Sequence, residues 1–146
     1  MSAASAPPTA CVLCDAEGGI PVWRGPEFRV IRADDAIFPG FYRVIWNAHV
    51  AEFSDLSLVQ RHTCMEAVSA VEQVVRRHLQ PDKVNLAALG NMVPHLHWHV
   101  IARFNWDSHF PGAVWAAAQR PQHAERLAAV AGRLPQLDLA IAAALA

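Results

Sequence analysis

Cysteine is scarce in this chain of 146 residues, and the three present do not make a disulfide framework. Cys11 and Cys14 are two residues apart in Cys11-Val12-Leu13-Cys14, a metal-like spacing, while Cys64 stands alone in a helical stretch. Long apolar runs are also missing. Although 53% of the residues are apolar, charged and turn residues break every run well short of the ~20 needed to cross a bilayer, so no membrane partner is expected. Nor is there a basic stripe. The net charge is −1, and eleven of the twelve basic residues are scattered arginines, which argues against a nucleic-acid polymer as ligand. An anionic ligand must then be held locally, by backbone N–H groups and histidines, and this favours a small molecule. The first residues, 1–10, lack both the basic start and the apolar stretch of a signal peptide and are expected to be a disordered leader on a cytoplasmic protein.

What remains reads as one domain of α+β class. Val22-Trp23-Arg24 and Phe28–Arg32 predict two strands around the Gly25-Pro26 turn, and Tyr42–Trp46 a third after Phe38-Pro39-Gly40. From Asp55 to Gln80 the apolar period becomes helical through Cys64, Val68, Val71, Val75 and Leu79, with Ser54 placed to cap the start and Pro81 to end it. Val84–Leu89 predicts a fourth strand, Gly90–Pro94 a loop, and His95–Arg103 a fifth strand. Residues 104–115 are aromatic and irregular, and two Ala-rich helices, 122–133 and 136–145, follow around Pro135.

The chemistry is concentrated in His95-Leu96-His97-Trp98-His99. On a strand, side chains alternate between faces, so the three histidines share one face and Leu96, Trp98 and Val100 the other. Three readings follow. The imidazoles could decorate a solvated sheet face. They could chelate a metal, but the first and third lie roughly 13 Å apart along a strand at ~3.3 Å per residue, and Ile101–Phe104 adds no carboxylate. Covalent catalysis suits the spacing better, because imidazole, with an ordinary pKa near 6.5, is mostly neutral at pH 7 and can attack phosphorus without a separate base. A second histidine two residues along can serve as the acid, and the Gly90-Asn91 loop can bring backbone N–H groups to a phosphate.

The run His95–Ile101 matches the alternating His-apolar signature of the histidine triad (HIT) family, and Pro39-Gly40, Val44-Ile45 and His49 fall in the order of that family's preceding stretch. The resemblance covers about Cys11 to Arg103 and implies a HIT-like fold: a five-stranded antiparallel sheet with one long helix packed on it, plus C-terminal helices. It divides the chain into a HIT domain over 11–118 and a helical extension, 119–146, packed on the same domain. It further implies that His97 attacks an α-phosphate and carries a covalent nucleotide, that His99 protonates the leaving group, and that His95 orients the strand. Asn91 and Gly90 take the phosphate-contacting position, Asn85 approaches the nucleotide, and Asp34 or Asp35 holds a ribose hydroxyl. Three positions depart from the family: its Gly-His is Gly40-Phe41 here, a proline is Trp46, and a polar residue is Met92.

In some HIT relatives and the related uridylyltransferases a Cys-x-x-Cys is paired with two histidines, which here are His49 and His95. With Cys11 and Cys14 they make a Cys₂His₂ set suited to a structural Zn²⁺, with no cofactor required for the chemistry itself. His62, His78 and His123 read as surface residues, whereas His109 follows the triad closely enough to fold back over the pocket. Trp106, Phe110 and Trp115 are candidates for core, for dimer contacts or for closing the pocket. The expected function is hydrolysis of dinucleoside polyphosphates or nucleoside phosphoramidates by a homodimer, since the uridylyltransferases carry Gln where this chain has His99. A nucleotidyl transferase or phosphorylase using His97, or a non-catalytic nucleotide-binding module, are the alternatives.

Overall fold

The structure is a computed structural model and describes residues 10–146; the leader expected over 1–10 lies outside the described residues apart from Ala10. Five strands, β1 (Ile20–Arg24), β2 (Phe28–Arg32), β3 (Phe41–Trp46), β4 (Lys83–Ala87) and β5 (His97–Arg103), form one sheet in the order β1-β2-β3-β5-β4. Every neighbouring pair is antiparallel, so the α+β expectation holds. The 22-residue helix α2 (Leu58–Leu79) and the last helix α4 (Leu134–Leu145) pack together on one face of the sheet.

Strand alternation decides which residues meet the helices. Val30, Tyr42, Val44, Val84, Val100 and Ala102 point to that side and bury against Val68, Val71 and Val75 of α2 and Leu137 and Ile141 of α4. Asp138 of α4 reaches the same side of the sheet, accepting from the Tyr42 hydroxyl (2.7 Å) and from Arg32 Nε (3.1 Å). Among the described residues no single helix is long and apolar enough to cross a membrane.

The opposite face carries His97, His99 and their neighbours, and two irregular segments cover its ends. One is the N-terminal stretch with the short helix α1 (Val12–Asp15), where Cys11 and Leu13 bury against Ile31 and Ile45. The other follows β5, where Val114 packs on Phe38, Phe41 and Ile101. Each is tied down by a buried arginine. Arg29 donates from the sheet to the carbonyls of Leu13 (2.6 Å), Ala16 (3.1 Å) and Glu17 (3.1 Å). Arg103 pairs with Asp107 (2.9 Å) and donates to the Gly112 carbonyl (2.7 Å). Asp107 in turn accepts from the backbone N–H groups of Phe104, His109 and Phe110, and Arg120 donates to the Asp107 and Phe110 carbonyls (2.6 Å each). Burial raises the Asp107 carboxyl, but the bonds from Arg103 and the backbone outweigh it and hold it below the ordinary value.

Four expectations need correction. The long helix starts three residues later than expected, because Ser57 caps it by accepting from the Gln60 N–H. Ser54 instead lies in a single 3₁₀ turn, Phe53–Asp55, stapled by Glu52 and Asp55. The fourth strand stops at Ala87, and the two expected C-terminal helices form as α3 (Ala124–Ala131) and α4, but the break falls at Gly132-Arg133, while Pro135 sits in the first turn of α4, where a missing N–H costs nothing. Finally, β5 begins at His97, so His95 precedes the strand and turns its side chain elsewhere.

Candidate active site and metal centre

His95 is fully buried, and its ring is fixed at both nitrogens. Nε2 lies 2.6 Å from the Trp46 carbonyl, which only accepts, so Nε2 carries the hydrogen and Nδ1 presents its lone pair. Nδ1 faces three soft donors: Cys11 Sγ at 3.5 Å, Cys14 Sγ at 3.5 Å and His49 Nδ1 at 3.2 Å, with Cys14 Sγ 3.4 Å from His49 Nδ1. All four ligand atoms lie within 4.8 Å of one another. A tetrahedral Zn²⁺ with Zn–S near 2.3 Å and Zn–N near 2.05 Å needs S···N edges of about 3.5 Å and N···N edges of about 3.3 Å. The donor set fits such an ion, and the carbonyl behind His95 is the outer partner that a metal-bound imidazole ordinarily has.

The backbone of the same residue reaches the next histidine. The His95 carbonyl accepts from His97 Nδ1 at 2.6 Å, which puts the His97 hydrogen on Nδ1 and leaves Nε2 with a free lone pair. His97 is half-buried and lines a cleft of about 220 Å³ together with Gly90, Leu89, Phe53 and Trp98. Gly90 adopts φ +75° at the cleft edge, a left-handed conformation that a side chain strains. Burial, assisted by the Arg43 charge and opposed by the His95 carbonyl, lowers the His97 pKa, so the ring is neutral and nucleophilic near pH 7.

His99 is 6% exposed and boxed by aromatic rings: His97, Trp115 and Phe41 stand edge-on at 4.9, 5.1 and 5.4 Å between centroids. Burial first, then His97 and Arg43, pushes its pKa down to about 4. The histidine face is therefore not a solvated sheet face, the first of the three readings of the sequence. The two covering segments enclose it, and of the three imidazoles only His97 stays half-open.

The remaining expected site residues are spread more widely. Asn91 is exposed and is not among the residues lining the cleft beside Gly90. Asn85 accepts from Arg103 Nη1 at 2.8 Å, which ties its carbonyl oxygen to the C-terminal cover. Asp35 accepts from the Ile37 and Phe38 N–H groups and so caps its own turn, whereas Asp34 is exposed. His109 stands edge-on to Phe38 at 5.0 Å and hydrogen-bonds Ser108 (2.8 Å), with no contact to the triad. Arg29 and Arg43 were not singled out from the sequence, where isolated arginines resemble surface residues. One holds the Cys11–Cys14 segment in place and the other abuts His99.

The HIT domain model matches residues 21–106, and a histidine triad protein from Bradyrhizobium japonicum is 32% identical over 82% of this chain and 90% of its own, with a TM-score of 0.67. The chain belongs to the HIT family. A HIT histidine triad protein from Marinobacter aquaeolei is similar at 28% identity, 83% and 89% coverage and a TM-score of 0.66. A Zn-bound histidine triad family protein from Mycobacterium smegmatis shares the fold at 23% identity, 88% and 96% coverage and a TM-score of 0.58. No curated protein matches the chain. For this HIT protein the family model includes His49 and the whole histidine run, while Cys11 and Cys14 fall before it.

Proposed function

We propose that this HIT protein is a nucleotide hydrolase acting on dinucleoside polyphosphates or nucleoside phosphoramidates through a nucleotide bound covalently to His97. The observation that carries the reading is the 2.6 Å bond from His97 Nδ1 to the His95 carbonyl, which fixes the tautomer and leaves the Nε2 lone pair unshared on a half-buried residue that lines the cleft. In the first step His97 Nε2 bonds the α-phosphorus and the bond from phosphorus to the leaving group breaks, with His99 supplying a hydrogen bond or proton to the departing atom. In the second step a water oxygen bonds phosphorus, the N–P bond to His97 breaks, and the proton released passes to solvent. The Gly90 backbone at the cleft edge is the local anion holder.

Cys11, Cys14, His49 and His95 would hold a structural zinc ion, a reading supported by the donor geometry and by the Zn-bound relative. Bound there, zinc would supply rigidity, since His95 joins the cluster through its ring and orients His97 through its carbonyl. The test is incubation with adenine and guanine dinucleoside polyphosphates and phosphoramidates, scoring nucleotide release. Wild type should turn over at least one class and His97→Ala none; nucleotide binding without release by either protein would leave a binding module on a HIT scaffold.

A further inference from the structure

Four arginines project from β-strands onto the histidine face, and they differ in what they meet: Arg24, opposite Arg29 in the register, lies 3.1 Å from the Glu17 carboxylate. Arg29 lies 4.0 Å from the Glu17 carboxylate and Arg103 lies 2.9 Å from Asp107. Arg43 has no carboxylate at ion-pair distance among the described residues. It is half-buried, stacked over the Phe41 ring at 5.0 Å, with Nε 3.4 Å from His99 Nδ1 and Nη1 3.4 Å from the Gly18 carbonyl. A guanidinium has five N–H donors, so most of those on Arg43 meet no protein acceptor and stay within reach of solvent, and both bonds it does make are long. The Asp35 carboxylate acts on Arg43 only from beyond ion-pair distance, so a partly desolvated guanidinium here is stabilised further when an anion completes it.

We propose that Arg43 is the specificity-determining residue of this site, receiving the first phosphate of the leaving group and so selecting phosphoanhydride substrates over phosphoramidates. This rests on the hydrolase reading above. The register of the sheet puts Arg43 opposite His99, the residue assigned to the leaving group in that reading. Because Arg43 Nε–H points at His99 Nδ1, that nitrogen accepts and the His99 hydrogen sits on Nε2. In this arrangement His99 is a neutral hydrogen-bond donor and not an imidazolium. An amine cannot leave phosphorus without first gaining a proton, whereas a phosphate chain leaves as a stable anion. The step then balances with no proton transfer: the His97 Nε2–Pα bond forms, the Pα–O bond breaks, and the electron pair stays on the leaving phosphate oxygen beside Arg43. The depressed pKa of His99, due first to its burial, agrees with this.

The test uses the full chain as purified and compares wild type with Arg43→Leu, with Arg43→Gln carrying the same test should the leucine variant not fold. Affinities for α,β-methylene-ADP and for the methyl ester of AMP, and for the guanine pair, are measured by calorimetry. Neither adenine ligand contains a cleavable anhydride, so the readout does not depend on turnover. Wild type should prefer the diphosphate analogue, and loss of Arg43 should shrink that preference roughly ten- to hundredfold, the worth of a charge-assisted hydrogen bond. Arg43→Lys should restore part of it. A preference unchanged in Arg43→Leu and Arg43→Gln, or equal losses on both ligands, overturns the assignment. If the preference tracks Arg43 but wild type hydrolyses no nucleotide, the hydrolase reading fails while Arg43 stands as a phosphate reader. If wild type hydrolyses phosphoanhydrides with a preference indifferent to Arg43, the reverse holds.

Discussion

The two segments that enclose the histidine row hold it by different physics. At the N-terminal end, four soft donors converge on a point that suits one metal ion, and Arg29 ties the loop behind them with backbone hydrogen bonds. At the C-terminal end, one buried ion pair, Arg103–Asp107, satisfies three backbone N–H groups, the Gly112 carbonyl and the Asn85 side-chain oxygen without any ion. The first cover has a place for an ion to add to its hydrogen bonds, and the second is built wholly from the chain. His97 and His99 lie between, so the geometry of the triad inherits both dependences.

Breaking the C-terminal cover should cost the most. Asp107→Ala leaves Arg103 buried without its partner, a change that typically destabilises by about 3–5 kcal/mol, and it should show as a lower urea midpoint. Asp107→Asn, whose amide oxygen can still accept from the His109 and Phe110 N–H groups, should lose less. Because the carboxyl sits below its ordinary range in the fold, its contribution is fully present above the unfolded value near 3.8 and fades as pH falls through the folded one.

Breaking the N-terminal cover comes next. The purified protein is expected to contain zinc, and an ion present at a hundred times its Kd stabilises by about 2.7 kcal/mol. Chelation or Cys14→Ser should therefore lower the melting temperature, and added zinc should restore the chelated wild type but not the variant. A chelator-insensitive melt with no zinc in the protein would mean that both covers are self-sufficient.

Between the covers, His99 reports how tightly they close. Unfolded, it takes a proton below about 6.5; folded, it resists until about 4. In that window the unfolded chain holds more protons, so stability falls as pH drops from 6.5 towards 4. His99→Gln should flatten that part of the urea-unfolding profile relative to wild type, and an unchanged slope would show a histidine in contact with water.

The smallest effect belongs to the face that the triad does not use. Ser57→Ala removes the cap of α2 and should cost about 1 kcal/mol, lowering the urea midpoint while leaving nucleotide release by the folded protein unaltered.

These regions also differ in how far the sequence disclosed them. Periodicity found the five strands and the long helix because each presents a continuous apolar stripe to one core. The cap slipped by one turn, since Ser54 and Ser57 look alike in sequence and only the Glu52–Asp55 staple distinguishes them. Alternation placed His95 on the sheet face, but a ring bonded at Nε2 to Trp46 and aimed at two thiols leaves the strand pattern. The metal cluster was legible only through the family resemblance, because its donors come from three distant stretches of chain. Arg29, Arg43 and Arg103 were illegible for a plainer reason: their partners are backbone carbonyls, a ring nitrogen and a loop carboxylate that only the fold brings near.

The central claim is that His97 Nε2 is a nucleophile held ready by the His95 carbonyl. Intact mass measured after acid quench of protein mixed with a dinucleoside polyphosphate or a phosphoramidate tests it most directly. A mass increase of one nucleotide in wild type that is absent in His97→Ala is the predicted result. The same adduct in both proteins, or turnover that survives in His97→Ala, would contradict it.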